Sequence, residues 1–299
     1  MKILLLGSGG QLGLTLSTAL PAQGQVIALN REEGNLEDLV ALRNHIRTHK
    51  PDVIINAAAY TAVDKAESER EKAHLINATA VGVIAEEALK LNAWLIHYST
   101  EYVFDGKKPA PYIESDPTNP INAYGQSKLD GEKAIQAVGG KYFIFRTSWV
   151  YSPFRHNFAL AILRKAMTET KLNVVNDSFG APTSTALLTR VTENVLEHIA
   201  NHGDSLANAS GIYHLTPTGE TSWFDYARLL VKLAREQGLP VTVADDAIHP
   251  VSSDFYPTIA IRPKNSCLNT EKLSKQFEIV LPDWKVDVRE LVLKLPIIS

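Results

Sequence analysis

The amino-terminal segment constrains the fold most strongly, because an apolar run leads directly into a glycine-rich turn. Ile3 to Leu6 is typical of a strand, and leucines then recur every four residues from Leu12 to Leu20, as in an amphipathic helix. Between strand and helix the chain carries Gly7, Gly10, Gln11, Leu12 and Gly13. Glycines permit a tight turn and a close approach of pyrophosphate to backbone amides at a helix amino terminus. The segment therefore predicts a cradle for a dinucleotide.

The rest of the first half repeats the alternation of apolar runs and helical stretches. Further strands are predicted at Val26–Leu29, Val53–Asn56, Trp94–Ser99 and Tyr142–Arg146, and helices at Leu36–Ile46 and Ala66–Leu91. This order predicts an α/β protein with a doubly wound parallel Rossmann sheet that holds its ligand at the carboxyl ends of the strands. We expect residues 1–150 to form the dinucleotide-binding domain. Prolines punctuate residues 151–299, which we expect to be mainly a smaller, interleaved substrate lobe, with later segments returning to the sheet.

Composition narrows the class of partner. The chain has 299 residues, 45% of them apolar, and its net charge of −3 is spread without a basic stripe for nucleic acid or a polybasic segment for a membrane surface. The apolar start breaks at Gly7, and no run of about 18 apolar residues follows. One cysteine, Cys267, cannot form an internal disulfide. We therefore expect a cytoplasmic protein with a small-molecule substrate, either a monomer or a homodimer.

The end of the second predicted strand bears on the cofactor. An acidic residue there would bind the ribose hydroxyls of NAD, whereas this strand ends in Leu29-Asn30-Arg31. A neutral Asn30 beside the Arg31 guanidinium suits a 2′-phosphate, although Arg31 could equally be a surface side chain. The sequence predicts NADPH in preference to NADH, with NADH possible. Asn35 and Leu36, one turn later, are expected to reach the adenine.

A phenol and an ammonium stand four residues apart at Tyr124 and Lys128, on one face of a predicted helix. A cation beside a phenol favours the phenolate, so we expect Lys128 to lower the pKa of Tyr124 and Tyr124 to act as a general acid. Such pairs arise often by chance, and the upstream glycine turn is what gives this one weight. Ser99 and Thr100 add hydroxyl groups at the end of another predicted strand.

Six motifs in combination resemble the extended short-chain dehydrogenase/reductases, and within them the reductases of keto nucleotide sugars. They are Gly7-x-x-Gly10-x-x-Gly13, Asn56-Ala57-Ala58-Ala59, Ser99-Thr100-Glu101-Tyr102-Val103-Phe104-Asp105-Gly106, Tyr124-x-x-x-Lys128, Arg146-Thr147-Ser148-Trp149-Val150-Tyr151 and Arg262-Pro263-x-Asn265-Ser266. The resemblance extends from the first strand to the region of Trp284, nearly the whole chain.

The resemblance implies hydride transfer from a nicotinamide to the C4 ketone of a nucleotide sugar. Tyr124 would protonate the developing alkoxide, Lys128 would hold the nicotinamide ribose, and Thr100 would polarise the carbonyl. The implied cofactor wall comprises Ala57, Ala58, Ala59 and Tyr60. The implied substrate site comprises Val63, Ser99, Thr100, Glu101, Tyr102, Trp149 and Arg262.

Two departures from the family pattern matter. Glu101 stands where aspartate is usual, which keeps the charge and changes the contact. Some members are dimers bridged by magnesium through a carboxylate shortly after the glycine turn, where this chain has Leu14-Thr15-Leu16. We therefore predict no structural metal. His45 and His49 have the spacing of a zinc pair, but they lack an intervening glutamate and are better explained as an exposed helix face.

Other patterns have a structural explanation. Trp223, Phe224, Tyr226 and Leu230 are spaced like a packing stripe in the core, and the acids at positions 64, 67 and 69 suggest a solvated helix start.

Two other functions compete with the reductase. A nucleotide-sugar epimerase or dehydratase would share the glycine turn and the Tyr–Lys pair but recycle a tightly held NAD, which Asn30 and Arg31 argue against. A catalytically idle regulatory subunit would have no chemical need for Thr100, Tyr124 and Lys128 together.

Overall fold

A computed structural model describes residues 1–295 and gives an α/β architecture. The strands are β1 (Lys2–Leu6), β2 (Gln25–Leu29), β3 (Val53–Asn56), β4 (Trp94–Thr100), β5 (Lys141–Thr147), β6 (Val150–Tyr151), β7 (Leu172–Val175), β8 (Phe179–Gly180), β9 (Thr183–Ser184), β10 (Gly211–His214), β11 (Thr221–Ser222) and β12 (Ile248–Val251). The α-helices are α1 (Gln11–Ala19), α2 (Leu39–His49), α3 (Val63–Ala66), α4 (Arg70–His74), α5 (Ala80–Lys90), α6 (Ala123–Val138), α7 (Phe158–Thr168), α8 (Thr185–His202), α9 (Trp223–Glu236), α10 (Glu271–Phe277) and α11 (Trp284–Leu293).

The main sheet confirms the predicted parallel topology. Its order is β10-β5-β4-β3-β1-β2, and every neighbouring pair runs parallel. The order reverses beside β1, which places the β1–α1 turn and the ends of β3 and β4 at one edge, where doubly wound sheets bind ligands. All five predicted strands are present, with β4 running on to Thr100.

Residues after 150 contribute both to the main sheet with its core and to a second core. β10 forms an edge of the main sheet, and α8 packs its buried residues, Leu187 to Ile199, into the same core as β1 and α1. A second core joins α7, α9 and α11 around Tyr226 and Trp284.

No helix in the described part of the chain combines the length and the apolar character that crossing a membrane requires.

The helical stretch predicted over Ala66–Leu91 is confirmed for most of its length, but it is interrupted near its start and contains a π segment. α3 ends at Ala66, and after a turn α4 leads through a π-helical turn, Leu75–Thr79, into α5. Helix α6 packs closely on this π turn, because a Cβ on Gly131 would lie 2.1 Å from the Asn77 carbonyl oxygen. The start predicted at Leu36 was also early: the Asp38 side chain caps α2 by accepting a hydrogen bond from the Ala41 amide.

The acids of that region do not form a simple solvated helix start. Asp64 accepts from the Arg262 guanidinium, Glu67 accepts from the amide of Ala123, and Glu69 accepts from the Tyr60 hydroxyl. The first two bonds join α3 and the following turn to segments distant in sequence, which the local pattern did not reveal.

Candidate active site

One cleft of about 1120 Å³ opens at the carboxyl ends of the main strands and contains both the glycine turn and the Tyr124–Lys128 pair. The predicted residues that line it are Gly7, Gly10, Gln11, Leu12, Asn30, Arg31, Asn35, Leu36, Ala57, Ala58, Ala59, Tyr60, Val63, Ser99, Thr100, Glu101, Tyr102, Tyr124, Lys128 and Trp149. Gly13 lies beneath the turn, packed on the Gly7 carbonyl, and Arg262 lies beside the cleft, bonded to Asp64.

The glycine turn has the close backbone packing that its spacing predicted. Gly7 has a φ of +84°, and a Cβ there would come within 2.7 Å of the Ala58 amide nitrogen. A Cβ on Gly13 would lie 2.0 Å from the Gly7 carbonyl oxygen. Gly10 is the N-cap of α1, and within residues 1–295 no side chain caps that helix end. Its amides therefore face the cleft uncapped, as an anion site at a helix terminus requires.

Near the end of β2, two cationic side chains pair with one carboxylate, that of Glu37. Arg31, 77% exposed at its side chain, lies 3.1 Å from Glu37, and Lys72 of α4 lies 3.3 Å from the same side chain. Asn30 instead stabilises the turn, since its Oδ1 accepts from the amides of Glu32 and Glu33. Lys72 also lines the cleft. Sequence reasoning missed it because α4 is remote from β2 along the chain.

Helix α6 presents the Tyr124–Lys128 pair to the cleft. The Asn122 side chain caps its amino terminus by accepting from the Gly125 amide at 2.8 Å. A Cβ on Gly125 would lie 2.2 Å from the Tyr102 carbonyl oxygen, so the helix contacts the backbone after β4 directly. The Tyr124 ring lies edge-on to Tyr102, with ring centroids 5.7 Å apart.

The expectation that Lys128 lowers the pKa of Tyr124 was wrong in this structure. Burial raises the pKa of Tyr124 above its ordinary value, and the Glu101 carboxylate raises it further, while a hydrogen bond with Thr100 opposes the shift. The Lys128 ammonium instead points to the Tyr98 carbonyl oxygen, to which it donates at 2.7 Å. Tyr124 therefore keeps its proton at neutral pH.

Burial also shapes the other ionisable groups of the cleft. It lowers the pKa of Lys128 to about 8, with Glu132 opposing the shift. It raises the pKa of Glu101 to about 7, against hydrogen bonds that favour the carboxylate, the largest from Thr100. Both groups thus titrate near neutrality, as is common at functional sites.

Ser99 and Thr100 are both held by carboxylates. Thr100 Oγ1 donates to Glu101 at 2.8 Å and accepts from the Tyr102 amide. Ser99 Oγ donates to Glu132, a buried side chain of α6 that also forms an ion pair with Arg146 at 2.6 Å. This buried pair ties α6 to β5 and was not predicted as part of the site.

An aromatic pair, Trp149 and Trp223, forms another wall of the cleft. Trp149 has a φ of +47°, an uncommon conformation for a bulky residue. Its ring stacks on Trp223 with centroids 3.6 Å apart and packs against Gly180. The predicted packing stripe is confirmed, since Tyr226 and Leu230 are fully buried and Trp223 and Phe224 pack against the same core. Trp223 is only partly buried and also lines the cleft, which the stripe did not predict.

The candidate histidine pair lies away from this cleft. His45 and His49 are both on α2, with their rings stacked at 6.2 Å. Among the residues with described positions, no group of three or more histidine, cysteine, aspartate or glutamate side chains is arranged to hold a metal ion.

A parallel Rossmann sheet whose glycine turn shares one cleft with a Tyr–Lys pair defines an NAD(P)-dependent oxidoreductase of the extended short-chain dehydrogenase/reductase class. Residues 1–296 match the family described as the RmlD substrate binding domain. The chain is 46% identical over 299 residues to dTDP-4-dehydrorhamnose reductase of Escherichia coli K12, covering 99% of this chain and 98% of that protein. It belongs to the dTDP-4-dehydrorhamnose reductase family.

Solved structures agree with this assignment. The crystal structure of dTDP-4-dehydrorhamnose reductase from Bacillus anthracis, in complex with NADP, has a TM-score of 0.89 and 30% identity, covering 98% of this chain and 99% of that one. DesIV, a dTDP-glucose 4,6-dehydratase from Streptomyces venezuelae, has a TM-score of 0.78 but 17% identity, with coverage of 98% and 96%. The dehydratase thus shares the fold alone.

Proposed function

We propose that this chain reduces the C4 ketone of dTDP-4-dehydro-L-rhamnose with NADPH and so forms dTDP-L-rhamnose. One observation carries the proposal: Thr100, Tyr124 and Lys128 line the same cleft as the glycine turn. Full-length identity to a reductase of this substrate supports the choice of sugar nucleotide.

The cleft residues fit NADPH. The uncapped end of α1 and the close packing at Gly7 and Gly13 suit its pyrophosphate. Arg31 and Lys72 suit the 2′-phosphate, and Asn35 and Leu36 suit the adenine, with Ala57 to Tyr60 forming the wall. When bound, the cofactor supplies hydride to the ketone carbon.

Side chains of this protein then supply the proton. Thr100, through its hydroxyl, polarises the carbonyl oxygen. Tyr124, kept protonated by its buried setting, transfers its proton to the oxygen as negative charge develops there. Lys128 holds the nicotinamide ribose and returns a proton to the phenolate.

The sugar nucleotide is expected between the lobes. Val63, Ser99, Glu101, Tyr102 and Trp149 line the part of the cleft that we assign to the substrate. Arg262 bonds to Asp64 and interacts with Tyr102, which lines the cleft, and its guanidinium suits the substrate diphosphate. In this proposal residues 151–299 act mainly as the substrate lobe, with Trp223 as an additional wall.

The competing functions differ in how they use the cofactor. An epimerase or dehydratase would convert the sugar without net oxidation of nicotinamide, and an idle subunit would convert nothing. The test adds a panel of 4-keto nucleotide sugars to the purified protein with NADPH or NADH. We expect absorbance of the reduced nicotinamide to fall in a one-to-one ratio with reduced dTDP sugar. Formation of a sugar product without net loss of NADPH would identify an enzyme that regenerates its own cofactor, and would contradict the reductase function.

A further inference from the structure

A buried histidine contacts the catalytic lysine from behind. His97 lies on β4, is completely buried, and forms contacts through both ring nitrogens. Its Nδ1 is 3.1 Å from Nδ2 of the Asn56 side chain, and its Nε2 is 3.2 Å from Lys128 Nζ. The mechanism above assigns this side chain no role.

The neighbouring groups fix where the imidazole carries its proton. The Ala58 amide donates to Asn56 Oδ1 at 3.2 Å, so the Asn56 NH₂ group is the part that faces His97 and donates to Nδ1. Burial, together with the charge of Lys128, lowers the pKa of His97 well below its usual value, so the ring is neutral. A neutral ring that accepts at Nδ1 carries its hydrogen on Nε2. That hydrogen is directed at Lys128.

This arrangement discriminates between the two protonation states of Lys128. An ammonium has no lone pair to accept the Nε2–H hydrogen bond, whereas a neutral amine has one and can still donate to the Tyr98 carbonyl. The charged and titratable groups nearby are Tyr124 and Glu132 on α6, with Arg146 of β5 paired to Glu132. Glu132 favours the cation, and burial opposes it.

We propose that His97 is a positioning residue for the proton relay: its Nε2–H donates a hydrogen bond to the uncharged Lys128 amine, which stabilises that amine and holds it against β4. The proposal rests on the reductase function and completes its proton balance. The Tyr124 O–H bond breaks as the sugar O–H bond forms, and then a Lys128 N–H bond breaks as the Tyr124 O–H bond is restored. The amine left behind accepts the His97 hydrogen bond until water returns a proton to it.

Two variants separate this role from simple packing. His97→Gln keeps an acceptor for Asn56 and an N–H donor toward Lys128, whereas His97→Leu removes both.

The first readout needs no substrate: the 13Cε resonance of Lys128, assigned by its loss in Lys128→Arg, is titrated from neutral to strongly alkaline pH. We expect the leucine variant to titrate about one pH unit above wild type, a tenfold gain in proton affinity, and the glutamine variant to stay close to wild type.

The second readout is the pH profile of turnover with NADPH and the keto sugar. The alkaline limb should move with the Lys128 titration in the leucine variant and recover in the glutamine variant. A leucine variant that titrates at or below the wild-type pH, or a glutamine variant that shifts as far as leucine, overturns the proposal. An enzyme inactive on every keto sugar, with the Lys128 titrations as expected, would instead contradict the reductase function alone.

Discussion

At the scale of single residues, Glu101 carries the clearest consequence for stability. Its pKa of about 7 in the folded protein exceeds the ordinary value of 4.5, because burial disfavours the carboxylate. Between these two values the folded state holds a proton that the unfolded chain has lost. The free energy of unfolding therefore falls as pH rises through this window.

This linkage predicts that Glu101→Gln stabilises the protein above pH 7, by up to about 3 kcal/mol, with the gain vanishing toward pH 4.5. Glutamine keeps an acceptor for Thr100 and removes the buried charge. Urea unfolding of both proteins across this pH range measures the effect. A difference in stability that does not depend on pH would contradict the assigned shift.

Arg31 carries a second prediction, on cofactor choice. Its pairing with Glu37 is solvent-exposed and therefore weak, so the guanidinium is available to a 2′-phosphate. Arg31→Ala should weaken NADPH binding about tenfold while NADH binding changes little, because NADH lacks that phosphate. Fluorescence titration of the two cofactors measures both constants, with Arg31→Lys as the variant that keeps the charge. An equal loss for both cofactors would place Arg31 outside the phosphate site.

At the scale of elements, the placement of α6 depends on glycines at its contacts. Gly131 of α6 and Gly82 of α5 lie on two helices that pack together, and they offer a matched pair of substitutions. A Cβ on Gly131 would overlap the Asn77 carbonyl at 2.1 Å, whereas one on Gly82 would meet the Ala134 methyl at an ordinary 3.5 Å.

Gly131→Ala should therefore destabilise the fold by roughly 2 to 4 kcal/mol and lower turnover by displacing Tyr124. Gly82→Ala should be neutral or stabilising by up to about 1 kcal/mol, because alanine is the better helix former. Denaturant unfolding and NADPH-dependent turnover are measured for both. Equal stability in the two variants would show that the contact at Asn77 does not position α6.

Sequence pattern gave the strands and their parallel order because apolar runs and crossovers are local signals. It also placed the glycine turn, since Gly7 to Gly13 form one short segment. It failed where distant segments meet. The π turn packs on Gly131 of another helix, the second cation near Arg31 is Lys72 of α4, and Trp223 stacks on Trp149 in the cleft. The pKa of Tyr124 was misjudged because helical spacing to Lys128 says nothing about burial or about Glu101.

At the scale of the whole molecule, function depends on one cleft shared by segments far apart in the chain. β1 and α1 bring the glycine turn, β4 and α6 bring the hydroxyl groups and the lysine, and α9 brings Trp223 from the second lobe. The core under the main sheet includes α8 as well as β1, so the amino-terminal half is completed by later residues. The parts that the proposed hydride and proton transfers require therefore meet at one place.

The most direct test separates cofactor binding from proton transfer in Tyr124→Phe. If Tyr124 donates the proton in the cleft that binds NADPH, the variant should bind NADPH like wild type and lose more than about a hundredfold in turnover of dTDP-4-dehydrorhamnose. Fluorescence titration and the absorbance assay, run on the same preparations, give both quantities. Turnover equal to wild type, with binding intact, would contradict the account.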